Sequence, residues 1–128
     1  MHSIKRKRMT GTREGLTHKG SIGGVKFFLT INVFDNGQPG EIFLTFDQSG
    51  STIDGLADAW ATAVSFALQY GCPLSVIVKH FSFQQFDPQG LTDHEDIGFA
   101  KSVVDYVARF LNYTYLKQPL KDGKEQKE

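Results

Sequence analysis

Hydrophobic and polar residues alternate along two stretches in the first third of the chain, which is typical of β-strands with one buried face. From residue 25 to residue 34 the odd positions are all apolar, and the segment 41–47 repeats the alternation. The turn-forming sequence Asp-Asn-Gly at 35–37 separates them. A shorter strand at 15–21 precedes them and turns at Gly23-Gly24. The pattern therefore predicts a three-stranded antiparallel β-meander.

Three later segments have the 3.6-residue period of amphipathic helices. The first begins at Ser51 or Thr52, either of which can act as an N-cap, and ends before Gly71. The second covers residues 73–81 and the third about 97–112. We therefore predict an α+β fold, in which a small antiparallel β-meander of about three strands has three helices packed on one face.

The chain of 128 residues has the length of one ordinary domain. We predict a basic flexible arm at 1–12, a single α+β domain at 13–115, and a disordered charged tail at 116–128. No apolar run approaches the roughly 18 residues of a membrane helix, and the basic N-terminus lacks the apolar segment of a secretory signal. These features predict a soluble cytoplasmic protein that does not bind membranes.

The charge is distributed unevenly, although the net charge is zero. Residues 1–19 carry six basic side chains against one acidic side chain, whereas residues 20–112 carry four basic against ten acidic. An acidic body does not attract a phosphate backbone broadly, so this distribution argues against nucleic acid as the partner.

The residues that could carry catalysis are sparse. Cys72 is the single cysteine, which excludes an internal disulfide, a cysteine-rich zinc site and a dithiol relay. The four histidines have no metal-ligand spacing, and no phosphate-binding or nucleophile motif occurs in its proper context. We therefore expect no catalytic residues, no metal and no cofactor, and predict that the chain is not an enzyme.

Three polar groups could bind an anion. The strand at 13–19 carries cations, a hydroxyl and an imidazole, the helix start at 51–52 offers free backbone N–H groups, and an apolar helix carries one arginine. The plainer interpretations are an exposed edge strand, an N-cap, and an arginine paired with Asp105 four residues earlier. With aromatic residues to stack on a base, the three groups together predict a site for a nucleotide-like anion, built from one or two subunits. The candidate ligand-binding residues are Arg13, Thr17, His18, Lys19, Ser51, Thr52, Phe83, Phe86 and Arg109.

Six runs of sequence resemble one known family, in order and with similar spacing, over about residues 9–112. The runs are REGLTHK (13–19), DNGQPGEIF (35–43), GSTIDGL (50–56), ATAVSFALQYGCPL (61–74), KHFSFQQFDPQG (79–90) and AKSVVDY (100–106). They resemble the C-terminal accessory (TSCPD-type) module of adenosylcobalamin-dependent, class II, ribonucleotide reductases.

The resemblance implies less than the name of that enzyme. In the family, the catalytic barrel, the radical-bearing and redox cysteines and the cobalamin contacts lie upstream of this module, and a cysteine-rich tail often follows it. This sequence resembles a free-standing copy of a non-catalytic piece, with a short Lys/Glu extension in place of that tail.

Three functions fit such a piece, from a bacterial or a phage source. In the first, it binds or sequesters a nucleotide or a small molecule derived from one, such as a cyclic signalling nucleotide. In the second, it docks on a ribonucleotide reductase subunit. In the third, it is a structural interaction module. We favour the first, with the docking domain as the alternative. Because the second sheet face carries Phe28, Phe34 and Phe43, we also expect a homo-oligomer.

Overall fold

A computed structural model describes residues 4–47 and 50–122. Contacts divide this part of the chain into two compact units. The first, called here the sheet unit, contains residues up to 19 and residues 27–74; the second, called the helical unit, contains residues 20–26 and those from 75 onward. The single domain predicted at 13–115 stays a prediction.

Three antiparallel strands form one sheet in the order β1 (Glu14–Ile22), β2 (Val25–Val33) and β3 (Pro39–Phe46). The predicted meander is therefore confirmed. In the β2–β3 turn, the Phe34 N–H donates to the Gln38 carbonyl and the Gly37 N–H donates to the Phe34 carbonyl. Gly37 has the positive φ of 84° that such a turn requires. In the register, Phe28 pairs with Thr45 and Thr30 pairs with Phe43.

Helix α1 (Thr52–Gln69) packs on one face of the sheet unit. The inward residues Phe27, Leu29 and Ile31 of β2 are fully buried, and each stabilises the fold by about 1.5–3 kcal/mol. The Ser65 hydroxyl fixes the helix on β3, because it accepts from the Ile42 N–H at 2.9 Å and donates to the Ile42 carbonyl at 3.1 Å. The hydrophobic alternation of the strands thus defines which sheet face is covered.

Part of the basic arm predicted at 1–12 makes defined contacts in the sheet unit. The Arg6 Nε donates to the Gln69 side chain at 2.6 Å, and the Lys7 N–H donates to the Gln69 carbonyl at 2.7 Å. Residues 1–3 lie outside the described part of the chain. Residues 6 and 7 are therefore held at the end of α1 by hydrogen bonds, which their charge alone did not indicate.

The helical unit contains helices α2 (Leu74–Phe81) and α3 (Val103–Leu111) and the two-residue strands β4 (Gly90–Leu91) and β5 (Phe99–Ala100). The first residue of α2 belongs to the sheet unit. A π-helical turn follows at Asn112–Leu116. The predicted α+β class is confirmed, with three helices. In the predicted tail, Lys101 forms an ion pair with Asp122, and residues 123–128 lie outside the described part.

The predicted start of the third helix, near residue 97, is wrong. Gly98 has a φ of 65°, which a right-handed helix cannot contain, and residues 99–100 pair with residues 90–91. Helix α3 begins after Ser102, whose hydroxyl accepts from the Asp105 N–H at 3.0 Å. Strand β4 accordingly lies between the second and third predicted helices.

Tyr106 lies on α3 with its side chain fully buried, and its hydroxyl lies 3.4 Å from the Asp93 carboxylate. Burial, with a smaller contribution from the negative charge of Asp93, raises the pKa of Tyr106 above its usual value. The folded state therefore holds this proton more tightly than the unfolded state does. The stability that Tyr106 contributes is complete below the unfolded pKa, about 10, and is lost as the pH rises above it.

We accordingly expect the free energy of unfolding to fall between pH 9 and pH 11. Urea titrations across this range test the effect, and Tyr106→Phe should show a shallower decrease than wild type because it has no proton to lose. Equal slopes for the two proteins would contradict this assignment.

Candidate functional site

The sheet face that α1 leaves uncovered carries exposed polar and aromatic side chains. We call it the open face and define it by Thr17, Lys19, Phe28, Thr30, Phe43 and Thr45. Cross-strand partners and residues two apart on one strand share a face, and the hydroxyls of Thr17 and Thr30 lie 3.2 Å apart, which places β1 in the same register. Phe43 is 49% exposed and Phe28 is 40% exposed.

A cation lies beside an aromatic ring at one end of the open face. The Lys19 Nζ is 5.9 Å from the centre of the Phe28 ring, within the range in which an ammonium group is attracted by the ring. Both side chains are exposed. The ammonium group therefore keeps donors that can reach a ligand.

A polar network closes the other end of the open face. The Arg13 Nε contacts the Glu41 carboxylate at 2.7 Å, and the Asn32 amide donates to the same oxygen at 2.8 Å. The remaining Arg13 nitrogens donate to the carbonyls of Gly11 at 3.2 Å and Met9 at 3.4 Å. These bonds hold the guanidinium at the edge of the sheet, with about a third of the side chain exposed.

Gly15 makes the approach of β1 to β2 possible near this network. A Cβ atom at this position would overlap the Ile31 carbonyl oxygen and the Asn32 side chain. The glycine of the REGLTHK run therefore has a packing role in bringing Arg13 to Glu41.

Of the six sequence-predicted residues of the sheet unit, the structure places Thr17 and Lys19 on the open face and Arg13 at its edge. His18 alternates to the opposite, helix-facing side of β1 and is half-buried. It does not belong to the open face.

Side chains of the protein use several backbone N–H groups near the predicted anion site at the start of α1. Ser51 is the N-cap and accepts from the Asp54 N–H at 3.2 Å, as the N-cap interpretation predicts. The Asp54 carboxylate accepts from the N–H groups of Phe46 at 3.0 Å and Gly50 at 3.2 Å. Thr52 is the exposed first residue of the helix. An anion site at Ser51 and Thr52 therefore stays a prediction.

In the helical unit, Arg109 and Phe83 do lie together, with the guanidinium carbon 5.0 Å from the ring centre. Arg109 is only 8% exposed. Its Nε and Nη2 each lie 2.8 Å from an oxygen of Asp105, and its Nη1 and Nη2 donate to the carbonyls of Ile97 at 3.0 Å and Phe99 at 2.6 Å. The pairing with Asp105 is confirmed, and it uses most of the donors that a ligand would need.

Asp105 is a residue whose importance sequence reasoning missed. Its carboxylate is fully buried and also accepts from the N–H groups of Phe83 at 2.6 Å and Lys101 at 2.8 Å. It thereby fixes the segment around Phe83, which has a φ of 68°. Phe86 is 38% exposed, and its N–H donates to the Lys101 carbonyl at 3.0 Å. We interpret this cluster as structural.

Four residues of the open face are absent from the predicted ligand-binding residues, namely Phe28, Thr30, Phe43 and Thr45. For β3 the signal is the alternation Glu-Phe-Thr at 41, 43 and 45, which leaves an aromatic residue on the uncovered side. Phe34, expected on the same face as Phe28, instead packs past the bulge at the end of β2, against Gly40. Within the described residues, no group of three or more histidine, cysteine or acidic side chains could hold a metal ion.

The family model that describes the TSCPD domain matches residues 3–115. This chain belongs to the TSCPD domain family. The resemblance predicted from the sequence is thereby confirmed. No solved structure matches the chain, and no helix in the described part of this TSCPD domain has the length and hydropathy needed to cross a membrane.

Similar proteins extend well beyond a TSCPD domain of this length. A protein of Rhodopirellula baltica named vitamin B12-dependent ribonucleotide reductase is 49% identical over 91% of this chain, which covers 11% of that protein. A protein of the same name from Streptantibioticus cattleyicolor is 41% identical over 87% of the chain, which covers 18% of it. A third protein of this name, from Bradyrhizobium diazoefficiens, is 36% identical over 89% of the chain, which covers 9% of that protein. The chain thus spans less than a fifth of the length of these relatives.

Proposed function

We propose that this TSCPD domain is a non-catalytic module of the cytoplasm that binds or sequesters a nucleotide on the open face of its sheet. The observation that carries the proposal is the grouping of two exposed phenylalanines, a pair of hydroxyls and the Lys19 ammonium on one solvent-facing surface. The relatives' name, vitamin B12-dependent ribonucleotide reductase, refers to a reaction of nucleotides and supports the same ligand class.

Each group on the open face matches a part of a nucleotide. An exposed phenylalanine ring offers a stacking surface for any base, worth about 1–3 kcal/mol per base. Thr17 and Thr30 offer hydroxyls that donate to or accept from sugar and base edges. Lys19 supplies a charged donor for acceptor atoms of the base or sugar, in a body whose other charges are mainly acidic. Arg13 adds charge at the opposite edge, fixed in place by Glu41.

A second candidate function is protein docking, and the exposure of Phe28 and Phe43 favours it specifically. Two large apolar side chains on one uncovered sheet face are also typical of a surface that another protein covers. The occupant would be a ribonucleotide reductase subunit, since the relatives carry a similar segment within a longer chain, or a second copy in a homo-oligomer. Sedimentation of wild type and Phe28→Ser at high micromolar concentration distinguishes a second copy, because the substitution should shift an oligomer toward monomer.

The nucleotide proposal predicts that Phe43→Ala weakens binding roughly 5- to 150-fold, the equivalent of losing about 1–3 kcal/mol of stacking. Lys19→Ala should weaken binding by about tenfold, through the loss of a charged contact. Isothermal titration calorimetry with adenine and guanine nucleotides, in ribose, deoxyribose, linear and cyclic forms, measures both effects.

Phe99→Ala is the matched control, because Phe99 is a phenylalanine of equal exposure, 50%, in the helical unit. It should bind as wild type does. If no nucleotide binds to wild type at millimolar concentration, or if Phe43→Ala and Phe99→Ala bind equally, the nucleotide function is rejected and protein docking replaces it.

A further inference from the structure

A groove of about 370 Å³ lies at the Arg13 end of the open face, within the sheet unit. One wall is the N-terminal segment, residues 7–10 and 12–14, and the other is the end of β2 with the following turn, residues 33–36. We call it the basic groove. Its volume is within the range of sites that hold small molecules.

Basic side chains outnumber acidic ones in the lining of the basic groove. Lys7, Arg8 and Arg13 line it, against the carboxylates of Glu14 and Asp35. Arg13 is held by Glu41, and the Lys7 Nζ lies 4.6 Å from the centre of the Phe34 ring. Arg8 is exposed and has no ion-pair partner among the described residues. Two cations are thus positioned in the groove and a third is available to a ligand.

The groove is continuous with the open face through a single residue pair. Arg13 lines the groove, and its partner Glu41 lies two positions before Phe43 on β3. Since a strand rises about 3.4 Å per residue, Glu41 and Phe43 are about 7 Å apart along the strand. A ligand whose ring stacks on Phe43 can therefore extend past Glu41 toward the cations of the groove.

We propose that the basic groove binds the phosphate chain of a nucleotide whose base lies on Phe43, so that the ligand is a nucleoside 5′-di- or triphosphate rather than a nucleoside or a cyclic monophosphate. This inference rests on the proposed nucleotide function and specifies its ligand class. The exposed guanidinium fork of Arg8 matches phosphate oxygens, while Lys7 and the fixed guanidinium of Arg13 add positive charge beside it. A chain of two or three phosphates uses all three cations, whereas one phosphate reaches fewer of them.

Calorimetric titrations of wild type with adenosine, AMP, ATP and inorganic tripolyphosphate test the inference. The affinity should rise at least tenfold from AMP to ATP. Arg8→Ala should weaken ATP binding about 5- to 20-fold and change adenosine binding less than twofold. Lys5→Ala is the matched control, because Lys5 is an exposed cation of the same segment outside the groove, and it should bind ATP as wild type does.

The outcomes separate this inference from the proposed function. If AMP and ATP bind equally, or if Lys5→Ala and Arg8→Ala weaken ATP binding equally, the phosphate groove is rejected while nucleotide binding stands. A third outcome is that tripolyphosphate binds, that Arg8→Ala weakens its binding, and that Phe43→Ala changes the binding of no ligand. This outcome overturns the nucleotide assignment and identifies a site for free polyphosphate. If none of the four ligands binds, both the groove and the nucleotide function are rejected.

Discussion

Asp105→Ala is expected to lower the free energy of unfolding by about 3–5 kcal/mol. The carboxylate is fully buried and receives two hydrogen bonds from Arg109 and one each from the N–H groups of Phe83 and Lys101. Its removal leaves the buried guanidinium without a counter-charge and two N–H groups without an acceptor, and both effects destabilise the folded state. Urea denaturation followed by circular dichroism measures the change.

Asp58→Ala is the control, because Asp58 is an exposed carboxylate on α1, and it should change the stability by less than about 0.5 kcal/mol. If Asp105→Ala does not fold, the double variant Asp105→Leu with Arg109→Met should recover folding, since it removes both charges and keeps apolar volume. An Asp105→Ala protein as stable as the Asp58→Ala protein would contradict the structural role assigned to this cluster.

We expect the purified chain to reduce no ribonucleotide, with or without adenosylcobalamin. The resemblance to class II reductases implies several cysteines, one for the radical and a pair for the electrons, whereas this chain carries Cys72 alone. One thiol cannot supply both a thiyl radical and a two-electron dithiol.

A full-length vitamin B12-dependent reductase serves as the positive control, with deoxynucleotide formation from each of the four ribonucleotides as the measurement. In addition, Cys72→Ser should leave nucleotide binding unchanged, because Cys72 is outside both the open face and the basic groove. Deoxynucleotide formed by the isolated chain would contradict a non-catalytic function.

The sequence predicted the meander and α1 well, because long elements with one buried face impose a period on many residues at once. The ten-residue alternation at 25–34 and the Ser51 cap are examples. The strands β4 and β5 have two residues each and carry no period. The predicted start of α3 was therefore too early: the apolar residues at 97 and 100 fit a helical stripe, whereas the positive φ of Gly98, the pairing of residues 99–100 with 90–91 and the Ser102 cap exclude a helix there.

Only part of the candidate site could be predicted, and the reason differs from that for the fold. Residue type identified Arg13, Thr17 and Lys19 as polar groups on one strand, and period-two alternation explains why His18 points away from them. The sequence did not show which donors are already used. Arg109 is bonded to Asp105 and two carbonyls, and Asp54 accepts from the N–H groups of Phe46 and Gly50. Such partnerships depend on tertiary contacts, as do the hydrogen bonds that join Arg6 and Lys7 to Gln69.

Amide chemical-shift mapping establishes whether a nucleotide binds to the open face of the sheet. In ¹H–¹⁵N spectra of the wild-type chain titrated with ATP, we expect saturable shifts for the amides of Thr17, Lys19, Thr30 and Phe43, with smaller or no shifts along α3. Shifts confined to α3 and the segment 83–101, or no shifts at millimolar ATP, would rule out binding at this face.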